Sequence, residues 1–137
     1  MGAINASIVL YNSNIEEIKE IVETFRKCDL IGKVFLIDNS PNINEKFTFI
    51  GADYIFNNKN IGFGAGHNIA IKKSIEMKSK YHIVVNPDIK FKTGVIEKIA
   101  EYMDYNNEIG LIMPEILYPD GQVQFLPKLL PTPSDLI

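Results

Sequence analysis

The chain holds one cysteine, Cys28, two histidines and no tryptophan among its 137 residues. A single cysteine excludes an intrachain disulfide and any cysteine-based metal cage. Cys28 closes a helical pattern and reads as a small packing residue. No apolar run reaches the ~18 residues of a membrane span. Residues 1–6 lack the basic start and long apolar centre of a secretory signal, which predicts a cytoplasmic protein. An excess of basic residues is missing as well. Lys and Arg number 14 against 17 Asp and Glu, the net charge is -3 and the pI is about 5.4. A nucleic-acid partner usually calls for a basic patch and is not expected here. A nucleotide needs only a local site and stays open. No Gly-Lys-Ser/Thr follows the glycines, so a Walker-type phosphate loop is excluded.

What is present is ample core material: 46% of residues are hydrophobic and 23% charged. That suits one folded domain over residues 1–137. Residues 6–11 form an apolar run of strand length, closed by Asn12-Ser13-Asn14. Asn14 and Glu17 have the spacing of a capping box, and Ile15, Ile18, Val22 and Phe25 recur at helical period. Strands are predicted over 33–37, 53–56, 82–85 and 110–113, and a helix over 65–78. Thr93 is placed to cap a helix with Val95, Ile96, Ile99, Ala100 and Met103 on one face. Tyr118-Pro119-Asp120-Gly121 reads as a turn. Strands alternate with helices and are near-continuously apolar, the pattern of an α/β fold whose mostly parallel sheet is flanked by helices. The proline-rich, aperiodic stretch from Phe125 to Ile137 reads as a connecting segment before a further part of a longer protein. Its apolar side chains offer a surface for a homodimer.

Four polar clusters follow strands: Tyr11-Asn12, Asp38-Asn39-Ser40, Asn86-Pro87-Asp88, and the stretch 57–68. In a parallel sheet all four share the carboxyl edge, where ligands bind. Asn60-Ile61-Gly62-Phe63-Gly64-Ala65-Gly66-His67-Asn68 sets glycines at alternate positions before a helix, either as a plain flexible loop or as a close approach to an anion. His67 is either a polar cap residue or a proton donor or phosphate contact. His82 opens a buried strand and reads as structural. Asp38 is either a turn aspartate bonding its own backbone or an acceptor for a base or ribose. Asp88 is either part of an Asn-Pro-Asp turn or a hard oxygen ligand; magnesium on a diphosphate needs only one or two protein carboxylates.

Ile8-Val9-Leu10-Tyr11-Asn12 and Phe35-Leu36-Ile37-Asp38-Asn39-Ser40 resemble the first two strand ends of family-2 glycosyltransferases with the GT-A fold. The run 60–68 resembles the Asn-x-Gly-Phe-x-x-Gly-x-Asn stretch of the rhamnosyltransferase-like branch. Val84-Val85-Asn86-Pro87-Asp88 resembles that branch's variant of the Asp-x-Asp motif, with Asn86 in place of the first Asp. The resemblance covers about residues 6–137. It implies a Rossmann-like GT-A half that binds a dTDP-, UDP- or GDP-linked sugar. By likeness Tyr11 and Asn12 would lie along the nucleoside, and Asp38, with Asn39 beside it, would meet the base. Asn60, Gly62 and Gly64 would border the nucleotide, and Asn68 would support the loop. Asn86 would sit near the ribose or sugar, and Asp88 would hold Mg²⁺ or Mn²⁺. The implied reaction is inverting transfer to a saccharide or lipid-linked saccharide acceptor in surface polysaccharide synthesis, at the inner face of the membrane in a full-length protein. Neither Glu115 nor Asp120 matches the family's general base, so no catalytic residue is assigned. The base is expected beyond Ile137, and the chain alone is expected to be inactive. The alternative is a non-catalytic nucleotide-binding or phospho-receiver module with Asp38 as its aspartate. Receivers need an acidic pair after the first strand, where Tyr11-Asn12 stands. A sugar-phosphate nucleotidyltransferase would want an Arg/Lys-rich glycine loop there, which is absent.

Overall fold

The computed structural model describes residues 4–124. The chain divides into two compact units, one running to Ala100 and one starting at Glu101. The first carries four strands, β1 (Ile4–Leu10), β2 (Ile31–Asp38), β3 (Asp53–Phe56) and β4 (Tyr81–Val85). Their order in the sheet is β3-β2-β1-β4, and every pairing is parallel. Parallel strands need crossover connections: α1 (Ile15–Arg26) joins β1 to its neighbour β2, and α2 (Phe63–Glu76) carries the chain from the edge strand β3 to the opposite edge strand β4. A short 3-10 helix, Glu45–Phe49, lies between β2 and β3 and has no counterpart in the sequence pattern.

All seven residues of β1 are buried, as a central parallel strand requires. One face of the sheet packs Ile4, Ala6, Ile8, Leu10, Val34 and Leu36 against Ile18, Ile21, Val22 and Phe25 of α1. Ile96 and Ala100 of α3 (Val95–Tyr105) and the buried Cys28 complete this core. The opposite face joins Val9, Phe35 and Ile37 to Ala70 of α2. Asn14 caps α1 by accepting the Glu16 N–H at 2.8 Å. Glu17 therefore has no part in the expected capping box.

Two helix starts depart from the sequence reading. The second helix starts at Phe63, not Ala65, so Gly64 and Gly66 lie inside its first turns. Its N-cap is Gly62, whose φ of 87° suits glycine, and no side chain caps it. The third helix starts at Val95, directly after Gly94 (φ 88°), one residue past the position that Thr93 would cap. In the second unit the strand expected over 110–113 does not form; those residues have no ladder partner. The turn at Tyr118 does form: Gly121 N–H donates to the Tyr118 carbonyl, and Leu117 bridges Val123 antiparallel. The connecting segment expected from Phe125 to Ile137, with its dimer surface, lies outside the described residues. The general base expected beyond Ile137 lies outside them too. Among the described residues no helix is long and apolar enough to cross a membrane.

Candidate functional site

Because all four strands are parallel, their polar continuations gather at one edge, as the order of clusters implies. The ends of β1, β2 and β3 are tied to one another. Asn39 N–H donates to the Leu10 carbonyl and Asn57 N–H to the Asp38 carbonyl, both at 2.9 Å, which continues the ladders past the strand ends. Asn12, in the left-handed region at φ 50°, donates its N–H to Ser40 Oγ at 2.8 Å. Asn39 is the node of the frame. Its Nδ2 donates to the Gly62 carbonyl at 3.1 Å and its Oδ1 accepts from Asn57 Nδ2 at 2.8 Å. Asn60 Oδ1 accepts the Gly62 N–H at 2.9 Å. One asparagine thus joins the ends of β2 and β3 to the start of α2.

Asp38 and Asn39 are sealed inside this frame, with 0% and 2% exposure. Asp38 Oδ1 accepts the Ser40 N–H at 2.9 Å, closing a turn on its own backbone, and Oδ2 accepts the Tyr54 hydroxyl at 2.6 Å. Burial, and then the Asp38 bond, push the Tyr54 phenol up to about 12, so it stays a neutral donor. Tyr11, Asn12, Asn60, Gly62, Gly64, Asn86 and Asp88 are exposed along the edge. Asn68 is exposed further along α2, and the ties in the loop are made by Asn39, Asn57 and Asn60 instead.

Gly66 lets α2 sit close to the sheet. A Cβ there would lie 2.8 Å from Val9 Cγ2. Gly64 has nothing within 4 Å of such a Cβ. The alternate glycines therefore serve different ends: Gly66 a close helix–strand approach, Gly62 a turn, and Gly64 an uncluttered first turn of helix.

Asp88 borders a cleft on the α1 side of the edge, together with Glu17, Glu20, Thr24 and Phe91. Glu20 is engaged with Lys90 at 3.0 Å. Among the described residues no three His, Cys, Asp or Glu side chains form a metal cage. A cation shared with a diphosphate asks for less, and an exposed carboxylate just past β4 meets that requirement. Glu17, which lines the same cleft as Asp88, escaped the sequence reading. Its place in the first turn of a helix leaving the same sheet edge was the available signal.

His67, read as a polar cap residue or as a proton donor or phosphate contact, is buried within the first turns of α2. It is 2% exposed, with Nδ1 at 2.7 Å from Ser7 Oγ. Ser7 Oγ also meets His82 Nε2, and His82 Nδ1 meets Ser74 Oγ, both at 2.7 Å. Burial depresses the pKa of His67, and burial with the neighbouring His67 pushes His82 down to about 4. Ser7 and Ser74, which no sequence pattern connects, are what make this chain continuous.

The all-parallel sheet with its flanking helices is a Rossmann-like α/β arrangement, consistent with the GT-A half that the sequence resemblance implies. Among solved structures the chain is similar to the crystal structure of S. aureus TarS, with a TM-score of 0.61 and 17% sequence identity. The match covers 78% of this chain and 20% of the TarS chain, so this chain spans a small part of that protein's length. No family profile and no curated protein matches the sequence.

Proposed function

We propose that this chain is the donor-binding part of a glycosyltransferase and takes a nucleoside-diphosphate sugar at the carboxyl edge of its sheet. The observation that carries the reading is the convergence of four polar strand ends, in the family's order, on one edge, where those of β1, β2 and β3 are cross-linked. The fold shared with TarS supports it. Tyr11 and Asn12 would lie along the nucleoside, with Asn60, Gly62 and Gly64 bordering the nucleotide and Asn86 near the ribose or sugar. Asp38 and Asn39 would act through the backbone they hold, since neither side chain faces solvent. Asp88 would hold Mg²⁺ or Mn²⁺, which offsets charge developing on a diphosphate leaving group. The burial of Asp38 also weighs against a phospho-receiver, because both its oxygens are bonded within the protein. The activity would be inverting transfer to a saccharide acceptor, with the general base supplied from outside this chain.

Isothermal titration with UDP, dTDP and GDP and their sugar conjugates, with and without Mn²⁺, tests the reading. One nucleotide family should bind, more tightly with Mn²⁺. Asp88→Ala should abolish the Mn²⁺-dependent gain and leave the metal-free affinity in place. Absence of binding by every nucleotide to the folded chain would overturn the assignment.

A further inference from the structure

The protons in the buried chain of Ser7, His67, Ser74 and His82 can be placed by counting donors. Asn5 anchors the count. Its Oδ1 accepts the Lys33 N–H at 2.9 Å, so the group 3.1 Å from Ser74 Oγ is its NH₂, a donor. Ser74 has one proton and donates it to the Ala70 carbonyl at 3.0 Å. The 2.7 Å contact between Ser74 Oγ and His82 Nδ1 therefore carries the imidazole proton. A neutral imidazole has one N–H, so His82 Nε2 is bare and accepts the Ser7 hydroxyl. Ser7 then has no second proton, and its contact with His67 Nδ1 is an N–H donated by His67. His67 Nε2 is left as a lone pair, buried and without a partner.

Reversing every proton would give up the Ser74–Ala70 bond and leave a buried, unpaired N–H at His67 Nε2. Orphaned N–H groups are rarer in proteins than under-used acceptors, and that order has one hydrogen bond fewer. The first order therefore prevails.

The surroundings of His67 point to an approach. Its Nδ1 bond reaches Ser7 of β1, and Ser7 is bonded in turn to His82 of the adjacent strand β4, so the imidazole lies over β1 where β4 adjoins it. The same face of the sheet is open there: Val84, the ladder partner of Ser7, is 49% exposed. The imidazole is shielded by the Phe63 ring, edge-on at 4.4 Å, and Phe63 is itself 52% exposed between Gly62 and Gly64.

We propose that His67 Nε2 is a preset hydrogen-bond acceptor, reached when Phe63 turns aside, and that it takes a hydroxyl or amide N–H of the sugar carried by the nucleotide. This rests on the nucleotide-sugar reading above and adds which half of the ligand His67 reads. An ionised diphosphate offers only acceptors, which a bare nitrogen cannot bind. A sugar ring offers O–H donors; the ribose and base of the nucleotide offer donors too, and the parent-diphosphate arm of the test below separates these two sources. Ser7, Ser74 and His82 are positioning residues that fix the tautomer.

The test is ¹⁵N NMR of the histidine-labelled chain at neutral pH, with calorimetry on the same samples. Probes are UDP-glucose, dTDP-glucose, GDP-mannose and the parent diphosphates. Both imidazoles should be neutral Nδ1–H tautomers in the free protein. The sugar nucleotide that binds should move the His67 Nε2 resonance, and its parent diphosphate should not. His67→Leu should weaken the sugar nucleotide about tenfold, the scale of one hydrogen bond, without weakening the diphosphate. An Nε2–H tautomer at His67 in the free protein refutes the inference. So does an unmoved Nε2 while calorimetry records sugar-nucleotide binding. Both results leave the nucleotide-sugar reading standing. Failure of every probe to bind removes both.

Discussion

Gly64 and Gly66 look equivalent in sequence, two residues apart in one glycine-rich run, and the structure gives them opposite constraints. At Gly66 a methyl group meets Val9 Cγ2 at 2.8 Å and Cγ1 at 3.3 Å, inside a packed helix–strand contact. Overpacking of this kind costs ~1–3 kcal/mol, more than the helix propensity that alanine adds. At Gly64 the space is clear, and alanine should stabilise by up to ~1 kcal/mol through that propensity. Urea denaturation of Gly66→Ala and Gly64→Ala should therefore move the midpoint in opposite directions. A shared direction would mean that α2 does not approach β1 as closely as described. A sequence could not make this distinction, because it turns on the distance between two elements far apart in the chain. The same holds for Asp38 and Tyr54, whose 2.6 Å bond spans two strands.

The helices show which local signals carry through to structure. The start of α1 was legible because Asn14 supplies its own cap and the apolar period begins one residue later. Asn14→Ala removes the acceptor of the Glu16 N–H and should destabilise the fold by ~1 kcal/mol, while Asn14→Asp should retain most of it. Thermal unfolding of the two variants checks this; equal losses would assign the effect to something other than the cap. The start of α2 lies two residues before the expected one, since glycine is a poor helix former and nothing polar caps the turn. Packing of Gly66 on Val9 overrides that propensity. The strand expected over 110–113 failed for the converse reason: an apolar run has strand character only where a neighbour completes its ladder.

Over the whole molecule, pH should act through the buried histidine chain. His82 ordinarily titrates near 6.5 and is held at about 4 in the folded state. As pH falls below 6.5 the unfolded chain takes up this proton first, so stability is full above 6.5 and declines toward 4. The loss is on the order of 2–3 kcal/mol from this group. Urea midpoints between about pH 7 and pH 4 should follow that slope, and His82→Gln should flatten it; an unchanged slope would clear His82 of responsibility. At this scale the parallel sheet and its loaded edge were readable from the sequence, because continuous apolar runs and polar strand ends recur in register with the chain's α/β alternation. The histidine chain was not, since Asn5, Ser7, Ser74 and His82 meet only across the sheet and α2. Asn39 has a mechanical consequence at that edge. With one side chain clamping two strand ends and a helix start, the loops cannot drift independently. The conformational entropy that separate loops would lose on closing around a ligand is already lost in folding, so a bound nucleotide would meet a stiff rim rather than having to order one.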